Sequence, residues 1–112
     1  MSTTATLDIF SGRPNPVWEL TEPQIAALAA QFSAAAASPA IPPLESDGLG
    51  YRGFVVASDD PRLPQSVRVY RGVATIGRAQ SHWARGVERF LMETAGDAIP
   101  HELRDALREE VL

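Results

Sequence analysis

Alternation and periodicity divide the chain. Residues 4–10, TATLDIF, alternate loosely and are rich in β-formers, which predicts an opening strand. Residues 20–32, LTEPQIAALAAQF, carry Ile25, Leu28, Ala29 and Phe32 at i, i+3, i+4 and i+7, one apolar stripe of a helix. Thr21 suits its N-cap, Gln24 falls three residues later as a capping box requires, and Pro23 is tolerated in the first turn. The helix should fade before Pro39, which forbids continuation.

Residues 38–50, SPAIPPLESDGLG, read as a Pro/Gly-rich connector. YRGFVVA (51–57) and VRVYRGVATI (67–76) are the next two strands, joined by a hairpin loop, with Gly53 and Gly72 as candidate bulges. Strand parity would put Val67, Val69 and Val73 on one side and Tyr70, Ala74 and Ile76 on the other, so either the connector or a second subunit must cover one sheet face. SHWARGVERFLMETAG (81–96) predicts a second helix capped by Ser81, with Trp83, Val87, Phe90 and Leu91 on one face and Gly96 at its end. DAIPHELRDALREEVL (97–112) predicts a third, with Leu103, Ala106, Leu107 and Val111 inward. The expected architecture is α+β in the order β-α-β-β-α-α: a small three-stranded antiparallel sheet with helices on one face.

Length bounds this picture: 112 residues make a single domain, 1–112. No apolar run approaches the ~18 residues of a membrane span, and the N-terminus lacks the pattern of a secretory signal, so a cytoplasmic location is expected. Cysteine is absent, which excludes disulfides and thiolate chemistry. All ten basic residues are Arg, so neither a lysine Schiff base nor a P-loop lysine is available.

The net charge of −4 is unevenly spread. Residues 1–50 sum to −4, residues 51–89 to +4 and residues 90–112 to −4. A cationic middle is either an anion-binding face or the partner of the acids at both ends.

One loop invites a functional reading. In SGRPNPVW (11–18), Pro14 and Pro16 fix φ and hold Arg13 and Asn15 extended, while Trp18 should drop onto the core. It is either a stiff strand-to-helix connection or a preorganised platform projecting Arg13 and Asn15 toward a ligand.

Other chemistry is weaker. GLGYRG (48–53) matches G-x-G-x-x-G by letter, but a Pro-rich connector precedes it and a β-like run follows, so a dinucleotide site is rejected. His82 and His101 would begin different helices, roughly 20 Å apart if those pack antiparallel, so no metal site is expected. His82 at a helix N-terminus is the candidate general base. Tyr51, Phe54 and Tyr70 interleave with Arg52, Arg68 and Arg71 as in base-stacking sheets, but the acidic total and absent module argue against nucleic acid.

The leading expectation is a cofactor-free binding or accessory protein. It would engage a peptide, protein or carboxylate-bearing partner through Arg13, Asn15, Trp18, Tyr51, Arg52, Tyr70 and Arg71, since the guanidinium fork pairs bidentately with carboxylate. The alternatives are a cofactor-independent enzyme, with His82 as base and Arg52 or Arg71 as electrostatic stabiliser, and a structural homodimer.

Overall fold

A computed structural model describes residues 2–10, 12, 14–42, 50–76 and 80–111. In chain order the elements are β1 (Thr3–Leu7), β2 (Val17–Glu19), α1 (Glu22–Ala36), β3 (Phe54–Ser58), β4 (Ser66–Tyr70), β5 (Val73–Ile76), β6 (Gln80–Trp83), α2 (Val87–Thr94), a 3₁₀ turn (Gly96–Ala98) and α3 (His101–Leu107). The strands form one six-stranded sheet, in the order β2-β1-β3-β4-β5-β6, with every neighbouring pair antiparallel. The fold is α+β, but the expected three-stranded sheet is corrected to six strands.

Three local features account for the extra strands. SGRPNPVW does not lead from strand to helix: it closes a β-hairpin, because β2 returns antiparallel along β1 with Ala5 opposite Trp18. Leu7 donates its N–H to the Pro16 carbonyl at 3.0 Å, and Pro16, which has no N–H to return, ends the ladder there. VRVYRGVATI is not one strand but two. Arg71 and Gly72 adopt φ of 48° and 79°, and Tyr70 pairs with Val73, so the two residues form the tight hairpin turn that needs positive φ at both centres. Gly72 is therefore a turn residue rather than a bulge.

The third is β6. Ser81 caps no helix, and Trp83 belongs to no helical face: Ser81, His82 and Trp83 pair with Thr75, Ala74 and Val73. Gly86, with φ of 90°, is the residue from which α2 starts. His82 accordingly sits mid-strand, while His101 does begin α3.

The register also corrects the faces. Val67 lies opposite Ile76 and Val69 opposite Ala74, so those four share one face, and Tyr70 and Val73 share the other. The first face continues through Ala5, Leu7, Phe54 and Val56 into the hydrophobic core. There the helices supply Ile25, Leu28, Phe32, Val87, Leu91 and Leu107. α1 starts as its sequence dictates, with both halves of the Thr21–Gln24 capping box made. Trp18 is buried among these groups, edge-on to Phe54, with its indole N–H donated to Thr94 Oγ1 at 2.9 Å.

The second face carries Thr4 and Thr6 of β1, Val55 and Ala57 of β3, Arg68 of β4 and Thr75 of β5, none of them buried, and toward the β6 edge Val73 and Ser81, both buried. At the β6 edge, Ile41 forms a bridge to Ser81, which lays residues 38–42 beside that strand. Residues 43–49 of the connector, with Gly48 and Leu49 of GLGYRG, lie outside the described residues. At the other end of β3, Asp8 donates to the Gly53 carbonyl and accepts from Arg52 N–H, so two residues oppose one. Gly53, with φ of 100°, is obligatory there, because a Cβ would run into the carbonyl oxygen of Val69.

Candidate functional site

Alternation along β1 places Thr4, Thr6 and Asp8 on the open face, and the bulge opposite Asp8 turns Arg52 toward it. Arg52 donates Nε at 3.1 Å and Nη2 at 2.8 Å to Asp8 Oδ1, and Nη2 also reaches the Phe10 carbonyl. From β4, Arg68 donates Nη1 to Asp8 Oδ2 at 2.8 Å and to the Arg52 carbonyl at 2.9 Å. One carboxylate thus holds two guanidinium groups. Burial pushes the Asp8 carboxyl up, yet the hydrogen bonds from Arg52 and then Arg68 outweigh it and hold it below its ordinary value.

Asn15 belongs to the same cluster, in a structural role. Its Oδ1 accepts the backbone N–H groups of Ile9 and Phe10, and its Nδ2 approaches Asp8 Oδ1 at 3.4 Å. The stiff loop is thereby folded back onto the end of β1. Arg13 and Ser11 lie outside the described residues.

The other residues singled out by sequence do not join this cluster. Trp18 is in the core. Tyr51 is also buried, and its hydroxyl donates to Glu88 Oε2, while Glu88 Oε1 accepts Gly72 N–H at 2.6 Å. Burial, and then the Glu88 carboxylate, push the Tyr51 hydroxyl far above its ordinary range. The Tyr70 ring packs against that of Tyr51 at 5.7 Å and lies under the Arg71 guanidinium at 5.3 Å. Arg71 pairs with Glu110 at 3.1 Å, so Arg52 and Arg71 answer to acids on separate elements.

His82 points into the core face, and its Nδ1 meets the Ser38 carbonyl at 3.0 Å, so Nδ1 carries the proton. The expected helix N-terminus is not its setting. Ser81, its neighbour on the strand, faces the opposite side and bonds Thr75 Oγ1. Among the described residues, no group of three or more metal-ligating side chains is present. No helix there is long and apolar enough to cross a membrane.

These pairings explain the charge blocks. Asp8 and Glu22 from the acidic first segment and Glu110 from the last neutralise arginines of the cationic middle, and Arg62 also binds Asp60 within that segment. Arg68 remains half exposed, at 47%, and is bonded through Nη1 alone; its Nε and Nη2 have no partner among the described residues. It was not among the sequence-selected binding residues. The signal for it was the alternation of SVRVY, which turns Arg68 outward when Val67 and Val69 turn in. No family model, curated protein or solved structure matches the chain at a significant level.

Proposed function

We propose that the protein is a small binding or accessory module that receives a carboxylate-bearing peptide or protein partner at Arg68 on the open sheet face. The observation that supports this reading is the way Arg68 is held. Asp8 and the Arg52 carbonyl fix Nη1, which orients the guanidinium, while its other edge, Nε and Nη2, has no partner among the described residues and the side chain is about half exposed. That edge presents two parallel N–H donors, the geometry that takes a carboxylate bidentately. Ordering entropy that a free arginine would lose on binding is already spent.

The surroundings suit an extended partner. Thr6, Val55, Arg68 and Thr75 form one cross-strand row, so a hydroxyl, an apolar side chain, the cation and a second hydroxyl stand side by side. At ~4.8 Å between strands, the row spans roughly 14 Å, enough for several residues of a partner. Arg52 acts as a positioning residue, through its carbonyl and through Asp8.

Calorimetric titration with an N-acetylated hexapeptide of alternating glutamate and valine tests the reading, with the glutamine–valine peptide as control. Saturable binding of the acidic peptide is expected, weakened about tenfold (~1.4 kcal/mol) in Arg68→Gln and unchanged in Arg71→Gln. Equal binding of both peptides, or full affinity in a folded Arg68→Gln variant, contradicts it.

A further inference from the structure

The corner between β6 and α2 holds an open cleft, chemically distinct from the Arg68 cluster. It has a volume of about 260 Å³ and is lined by Gln31, Ala34 and Ala35 of α1 together with Trp83, Arg85 and Val87. Its floor is apolar, since Ala35 and Val87 are buried. Its wall is Trp83, 49% exposed and one of two large hydrophobic side chains left exposed among the described residues. Arg85 lies over the Trp83 ring at 5.8 Å.

Two features give this cleft a charge preference. Among the described residues no acidic side chain lines it, and Arg85 has no hydrogen bond or ion pair there. A guanidinium held over an aromatic face by its charge still has its N–H donors to offer a carboxylate. Alanines on α1 create the space: a larger side chain at position 34 would occupy it.

We infer that this cleft binds a small organic carboxylate with an apolar body, the body lying between Trp83 and the alanines of α1 and the carboxylate on Arg85. The volume lies just under the ~300 Å³ at which drug-sized pockets begin, which favours a compact acid. The site shares no residue with the Arg68 cluster and stands or falls separately. A free aryl or branched-chain acid and the C-terminal residue of a peptide both offer this chemistry.

The two tryptophans provide the readout, because their indole N–H resonances separate the exposed Trp83 from Trp18, which is buried and bonded to Thr94. Phenylacetate and the tripeptide Gly-Gly-Phe are titrated in parallel, with 2-phenylethanol as the uncharged control; whichever acid binds tighter identifies the source. The Trp83 resonance should shift saturably while that of Trp18 stays still. Affinity should fall at least tenfold for the alcohol and in Arg85→Gln, should be lost in Ala34→Leu, and should be unchanged in Arg68→Gln. A linear, unsaturable shift, equal binding of the alcohol, or wild-type affinity in folded Arg85→Gln or Ala34→Leu would overturn the inference.

Discussion

Asn15 Oδ1 lies 2.7 Å from the backbone nitrogen of Phe10 and accepts its N–H, and at 3.0 Å it accepts that of Ile9 as well. A single side-chain oxygen therefore satisfies two backbone donors that the end of β1 leaves without strand partners. Removing it takes one hydrogen bond from each in a partly buried setting. Asn15→Ala should lower stability by about 2 kcal/mol, read as a shifted urea midpoint at unchanged slope. An unmoved midpoint would show that the prolines alone hold the loop.

The core carries a titration signature at high pH. Tyr51 is buried and donates to Glu88, so its hydroxyl ionises far less readily in the folded chain than in the unfolded one. A folded value raised above the unfolded 10.0 gives stability that is fully present below pH 10 and lost as pH rises beyond it. Absorbance titration should show Tyr51 ionising only as the protein unfolds. Tyr51→Phe should remove that part of the alkaline dependence and cost about 2 kcal/mol at neutral pH, because Glu88 loses a donor in the core. Reversible ionisation of Tyr51 near pH 10 in the folded protein would contradict this.

At low pH the sign reverses. The side-chain and backbone hydrogen bonds of Arg62 hold Asp60 down at about 2, against an ordinary 3.8. Arg62 also lowers Glu22 at the start of α1. The Asp60 contribution is present above pH 3.8 and disappears as pH falls from there toward 2. Asp60→Asn should flatten the acid limb of a stability–pH profile in that window; an unchanged limb would show that the Asp60–Arg62 contact adds nothing.

What the sequence disclosed depended on how local its causes were. α1 was legible because Thr21, Gln24 and the stripe of Ile25, Leu28 and Phe32 lie within twelve consecutive residues. β2 has only three residues, too few for alternation to register. The split of β4 from β5 was hidden because positive φ falls on Arg71, not on the Asn or Asp that usually announces such a turn. β6 is hidden because Trp83 stands in phase with the apolar stripe of Val87, Phe90 and Leu91, and Ser81 precedes it as a cap would, a coincidence that only pairing with β5 resolves. The candidate site was the least legible: Asp8 and Arg68 are 60 residues apart, and their meeting depends on the registers of β1 on β3 and of β3 on β4.

The Nε–H of Arg68 reports directly on whether that edge of the guanidinium is available to a partner while Nη1 is anchored. In nitrogen-15 spectra of the free protein, that proton should exchange rapidly with water. On adding the acidic hexapeptide it should become protected and shift downfield, as a hydrogen bond to a carboxylate requires. An Nε–H already protected in the free protein, or one left unmoved by saturating peptide, would contradict the account.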